Sequence, residues 1–189
     1  MTYQDKWLNG RCIERGTREC ANRYAIIREF CSTISDRLFT VCDIGANMCY
    51  FGIRLAEDFP YCRVTAFEFH SFEMRQRHVQ ANAVGMRVAL MKKKLSLEDV
   101  ESLSSAERFD VVLALSVAHH LTRGGDFERW IAALRSLGKH LIMEFALTDS
   151  KRAAKINDYA IPTDAKILGF GKSHLNHEVR RPIVLLEGK

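Results

Sequence analysis

The sequence predicts an α/β domain built on a mainly parallel sheet with helices on both faces. Three observations predict it. Strand-like apolar runs alternate with helix-like segments through most of the 189 residues. Residues 39–52, FTVCDIGANMCYFG, pass from a short apolar strand through an acid and a glycine turn into the start of a helix. Two strand-like runs near the carboxyl end, 165–170 and 183–187, have no helix between them, which predicts an antiparallel hairpin.

The elements follow in order. Residues 2–34 are polar and expected to be helical in part, with Tyr24, Ile27 and Phe30 at helical spacing on one face. Residues 39–43 form the first strand, and 49–59 a helix closed by Pro60. The β-rich run RVTAFE, 63–68, is the second strand. A helix over 72–83 stops near Gly85, and 86–90 form the third strand. Residues 96–104 open with a capping-box pattern, Ser96 followed by Glu98 and Asp99, and continue as a helix. FDVVLAL, 109–115, is continuously apolar after one acid, which suits a central strand buried on both faces. Helices are expected at 126–137 and at 150–159, stopping before Pro162, with a fifth strand at 139–145 between them. The sum is five β/α repeats and a closing hairpin. One domain is expected overall, with residues 1–38 as a lid packed on a core of 39–189.

Composition bounds the function. The chain is 47% apolar and 27% charged, with a net charge of +5. A solvated cationic face, an anionic substrate or a nucleic acid are all compatible with that balance. The six cysteines lie in the first third, and none makes a Cys-x-x-Cys pair, so no zinc spacing is visible and a reducing cytosol is the simplest compartment. No apolar run has the length of a membrane span, and no charged-then-apolar leader opens the chain, so a cytoplasmic protein without a membrane partner is expected. His, Cys and acidic residues form no evident ligand set, so no metal is expected.

The first turn carries the chemistry. Gly45 lets backbone approach a ligand, and Asp43 with the turn amides can meet an amino or carboxylate group. Glu68 ends the second strand 25 residues after Asp43, where an acid can accept hydrogen bonds from both hydroxyls of a ribose. The Gly-x-Gly-x-x-Gly fingerprint of a dinucleotide dehydrogenase is missing, and no phosphate-binding P-loop follows the first strand.

These residues resemble the class I S-adenosylmethionine-dependent methyltransferases. Their first motif, Asp-x-Gly-x-Gly/Asn-x-Gly, often followed by Tyr-Phe, stands here from Asp43 through Gly45, Asn47 and Cys49 to Tyr50 and Phe51. The acid ending the next strand is Glu68 in VTAFE, and the fourth-strand pattern is FDVVLALSVAHHL, 109–121. The resemblance covers about residues 39–187. It implies a Rossmann-like seven-stranded methyltransferase sheet, mostly parallel with an antiparallel last strand, and S-adenosyl-L-methionine as cofactor. It further implies that Asp43, Gly45, Ala46, Asn47, Glu68, Phe69, Leu95 and Ser116 line the cofactor, with Phe69 at the adenine. Arg23 and Tyr24 either fold over the cofactor carboxylate, as similar Arg-Tyr pairs do in some relatives, or form a surface helix with Tyr24 packed on the sheet.

Two departures stand out. Cys49 replaces the usual third glycine, where the thiol either crowds the methionine part of the cofactor or packs beneath the loop. The stretch MKKKL, 91–95, lacks the acid that many members place near the adenine amino group.

Transfer of a methyl group requires alignment, exclusion of water and, for a hydroxyl or protonated amine, a base. His119 and His120, after the fourth strand, are the candidate bases, or else a cap and a packing residue. Glu144 at the end of the fifth strand either binds the acceptor or is solvated. Ser116 stands where DNA and some protein N-methyltransferases carry Asp/Asn-Pro-Pro-Tyr/Phe, which argues against methylation of adenine N6 or glutamine. The expected acceptor is an oxygen or nitrogen of a small or phosphate-bearing molecule, which suits the basic residues at 92–94 and 180–181. An RNA acceptor and a non-catalytic cofactor-binding or partner-binding module are the alternatives. The acceptor pocket is left open, or a second subunit completes it as a homo-oligomer.

Overall fold

A computed structural model describes residues 2–115, 117, 126–145, 161–172 and 179–189. The chain divides into two compact units, Met1–Leu95 and Ser96–Lys189. Seven strands form one mixed, mostly parallel sheet, in the order Val88–Lys92, Cys62–Glu68, Phe39–Ile44, Phe109–Leu115, Gly138–Glu144, Arg180–Glu187 and Lys166–Lys172.

The first unit opens with a hairpin, β1 (Lys6–Leu8) and β2 (Arg11–Glu14), followed by α1 (Ala21–Ser32). The segment expected to be helical in part does carry α1, and the hairpin ahead of it is an addition to that expectation. Asn9 and Gly10 connect its strands with φ of 46° and 82°. Asn-Gly in a two-residue loop is a strong local hairpin signal, because both residues tolerate the left-handed conformation such a turn requires. Then come β3 (Phe39–Ile44), α2 (Tyr50–Asp58), β4 (Cys62–Glu68), α3 (Phe72–Gln80), a 3₁₀ turn (Gly85–Arg87) and β5 (Val88–Lys92). The third core strand starts two residues later than expected. The 3₁₀ turn takes up Met86, whose side chain is 98% exposed.

β3, β4 and β5 are parallel neighbours, with Asp43 opposite Ala66 and Ile44 opposite Phe67. Residues opposite one another project from the same face of a sheet, and the face recurs every second residue. Asp43 and Glu68 therefore share one face at the tips of adjacent strands.

The leader is pinned to α2. The Arg54 guanidinium lies 3.9 Å from the centre of the Trp7 ring and 4.2 Å from that of Tyr24. Trp7 Nε1 donates to Glu57 at 2.5 Å, and Arg28 pairs with Asp58 at 2.7 Å.

The second unit holds α4 (Leu97–Ala106), β6 (Phe109–Leu115), α5 (Phe127–Leu137), β7 (Gly138–Glu144), β8 (Lys166–Lys172) and β9 (Arg180–Glu187). The capping box at α4 is formed: Asp99 N donates to Ser96 Oγ at 3.2 Å, and Ser96 N donates to the Asp99 carboxylate at 2.9 Å. β6 and β7 are parallel, while β9 runs antiparallel to both β7 and β8. β9 is thus the reversed strand the closing hairpin predicted. The helix expected at 150–159 lies outside the described residues. No helix among the described residues is long and apolar enough to cross a membrane.

Candidate functional site

The turn between β3 and α2 has left-handed backbone at alternate residues: Gly45 (φ 69°), Asn47 (φ 51°) and Cys49 (φ 59°). Glycine and asparagine enter that region readily, whereas another L-residue pays about 1–2 kcal/mol. The position of Cys49 thus has the backbone that a glycine would favour. Its thiol is fully buried, and burial, with the charges of Asp43 and Glu68, pushes it well above the ordinary thiol range.

The amides of this turn already have acceptors. Gly45 N and Ala46 N both donate to Phe67 O, at 2.9 and 3.1 Å, stitching the turn to β4. Asn47 N donates to Glu68 Oε2 at 2.9 Å. Met48 N and Tyr50 N reach Oε1 of the buried Gln4 at 3.1 and 3.4 Å. A side chain of the leader therefore caps the start of α2.

Asp43 is 2% exposed, and its Oδ2 has no hydrogen-bond partner among the described residues. Burial, and secondarily the charge of Glu68, raise its carboxyl to about 7. A buried acceptor without a donor is costly, and a cationic or N–H-bearing ligand would remove that cost.

Glu68, also buried, is by contrast surrounded by donors. Phe69 N and His70 N donate to Oε1 at 2.7 and 2.8 Å, Asn47 N to Oε2, and Arg75 Nη1 lies 2.6 Å from Oε2. Lys93 N donates to the Glu68 carbonyl at 3.2 Å, which holds the chain leading to the buried Leu95 beside this strand tip. Phe69 is 50% exposed, in edge-to-face contact with His70. The first unit thus brings Asp43, Gly45, Ala46, Asn47, Glu68 and Phe69 to one end of two strands. This end offers a buried carboxylate lacking a donor, a second carboxylate and an exposed aromatic ring.

The other sequence candidates are placed as follows. Arg23 is buried and donates to the Glu19 carbonyl. The Tyr24 hydroxyl donates to Asp58 at 2.8 Å and reaches the Arg54 carbonyl at 2.9 Å, so the ring is part of the packing between α1 and α2. Glu144 is fully buried opposite Ile183, which excludes the solvated alternative. Ser116, His119 and His120 lie outside the described residues.

Sequence reasoning missed Gln4 and Arg75. Nothing local signals Gln4, whose partners lie 44 and 46 residues away. Arg75 carries a weak signal, a cation on the helix that follows the strand-ending acid.

No family model matches the chain, and no curated protein matches it. Solved structures do. The bifunctional kinase-methyltransferase WbdD superposes with a TM-score of 0.72 at 18% identity, over 91% of this chain and 40% of that one. The magnesium protoporphyrin IX methyltransferase ChlM from Synechocystis PCC 6803, with bound SAM, superposes with a TM-score of 0.62 at 17% identity, over 89% of this chain and 79% of that one. The chain therefore spans two fifths of the WbdD length. At these identities the likeness is one of fold, and the fold is that of the class I methyltransferases.

Proposed function

We propose that the chain binds S-adenosylmethionine and directs its methyl group to an oxygen or nitrogen of a small or phosphate-bearing acceptor. The observation that carries this reading is the carboxylate pair. Asp43 has one oxygen without a donor, and Glu68 stands on the same face of the adjacent strand. In this reading Asp43 accepts from the ammonium group of the cofactor and Glu68 from its ribose. The exposed ring of Phe69 and the buried Leu95 flank the adenine. Gly45, Ala46 and Asn47 shape the turn around which the amino-acid part lies. Ser116 and Arg23 complete the cofactor set read from the family likeness, and Tyr24 acts on it only through the packing of α1 on α2. The sulfonium supplies an electrophilic methyl group, and the chain supplies position and a base. His119 or His120 takes the acceptor's proton, and Glu144 positions the acceptor. The exposed side chains of Lys92 and Lys94 suit a phosphate on it.

Calorimetry with S-adenosylmethionine and S-adenosylhomocysteine tests the cofactor. Binding of both is expected, and binding of neither overturns the proposal. Against a panel of hydroxyl, amine and phosphate-bearing acceptors, His120→Ala or His119→Ala is expected to lower turnover about 10²- to 10⁴-fold with the S-adenosylhomocysteine affinity kept. Unchanged rates in both variants would remove the base assignment.

The second reading is a binding module without catalysis. Cys49 in the left-handed position and a Glu68 already supplied with donors favour it. Cofactor binding without transfer to any acceptor in the panel would establish it over the enzyme.

A further inference from the structure

Glu68 has little acceptor capacity to spare. A carboxylate offers about four lone-pair sites. Three are met by the amides of Asn47, Phe69 and His70, and the guanidinium of Arg75 stands at the fourth. A ribose that donates to this carboxylate must displace something.

The three amides are held by their turns. Asn47 belongs to the turn stitched to Phe67 O, and Phe69 and His70 lead directly from the end of β4 into α3, with Ser71 left-handed at φ 47°. Arg75 is the one flexible donor. Its side chain is only 11% exposed, yet Nε and Nη1 make no well-directed hydrogen bond among the described residues. The 2.6 Å approach to Glu68 is thus an ion pair of short distance and poor angle. A guanidinium removed from water and incompletely repaid by hydrogen bonds gains little net stability from such a pair, because desolvation offsets the attraction. Moving outward restores its hydration.

We propose that Arg75 is a displaceable occupant of the ribose subsite: it rests on the Glu68 carboxylate, withdraws when ligand hydroxyls donate there, and so sets the affinity for the adenosyl ligand. This inference rests on the S-adenosylmethionine reading above. When only a fraction of molecules has the competent arrangement, the apparent dissociation constant rises by the inverse of that fraction. An inward Arg75 populated at about nine in ten weakens binding about tenfold.

The experiment titrates S-adenosylhomocysteine and 5′-methylthioadenosine into the wild type, Arg75→Gln and Arg75→Lys by calorimetry at pH 8. Arg75→Gln is expected to bind both ligands about threefold to tenfold more tightly. Equal tightening for the two ligands assigns the effect to the ribose end, because 5′-methylthioadenosine lacks the amino-acid part. Arg75→Lys keeps the charge and loses the planar fork, so it is expected to fall between the two and serves if the glutamine variant does not fold. Binding recovered only in a variant supports the proposal. Unchanged or weaker binding in the folded variants, with the wild type binding, overturns it and makes Arg75 a brace for Glu68. Absence of binding in every protein overturns instead the cofactor reading beneath it.

Discussion

Asp43→Asn is expected to stabilise the ligand-free protein above pH 7 while weakening S-adenosylhomocysteine about 10- to 100-fold. The stability effect follows from the sign of the shift. Burial and Glu68 raise the Asp43 carboxyl to about 7 in the folded protein, whereas an unfolded aspartate titrates near its usual value of about 3.9. Between those limits the folded state keeps a proton that the unfolded state has released. Stability from this group is therefore present below about pH 4, falls as pH rises towards 7, and has been lost above it. Asparagine cannot ionise, and its amide carries less desolvation cost than a buried carboxylate. A gain of about 1–3 kcal/mol above pH 7 is expected. For a chain of this length that corresponds to roughly 2–12 °C in Tm.

The same substitution opposes binding, because it removes the charge that meets a ligand ammonium. The wild-type affinity is expected to rise with pH through about 7 as Asp43 ionises, and the variant's affinity to lose that rise. Melting curves and calorimetry between pH 5 and 8.5 check both halves. A variant that binds like the wild type would remove Asp43 from the cofactor site. A variant no more stable than the wild type at pH 8 would show that the buried carboxylate carries no penalty.

Trp7→Ala is the second large effect, and it concerns the leader. Trp7 stacks on the Arg54 guanidinium, meets the Tyr50 ring edge-on at 5.9 Å between centroids and donates to Glu57. Its removal strips one face of the Arg54 cation and leaves a gap between hairpin and helix. A loss of about 2–4 kcal/mol is expected, by analogy with large-to-small changes at buried aromatic residues and reduced because Trp7 is only half-buried. Trp7→Phe keeps the stacked ring and loses the Glu57 hydrogen bond, so about 1 kcal/mol is expected there. Chemical denaturation of the three proteins measures both. An alanine variant within about 0.5 kcal/mol of wild type would mean that Gln4 and α1 hold the leader without it.

The Trp7 cluster also bears on cofactor access. The hairpin that carries Trp7 continues from Gln4, whose side chain caps Met48 and Tyr50 at the start of α2. The leader is thereby tied to the same turn that carries Asn47 and Cys49. A leader loosened at Trp7 is expected to loosen that turn as well.

Much of this molecule was legible before any coordinates. The core strands, their parallel sense and the reversed final strand follow from apolar runs and short connections, which are local properties. So does the capping box at Ser96 and Asp99, since a side chain three residues away is always within reach at a helix start. Asp43 and Glu68 could be named as a pair because two parallel strands of known sense place their ends together. The Asn9-Gly10 hairpin is equally local, and it lies in the non-helical part of a segment expected to be helical in part.

Tertiary structure alone decided the rest. Chain pattern cannot show that Gln4 reaches a helix start 44 residues on, or that Tyr24 turns its hydroxyl to Asp58. Nor can it show that one acid of the pair lacks a donor while the other has too many. Periodicity records which face of an element is apolar, because that depends on near neighbours in the chain. Hydrogen-bond partners and burial depend on which distant segments meet, and only the packed chain determines that.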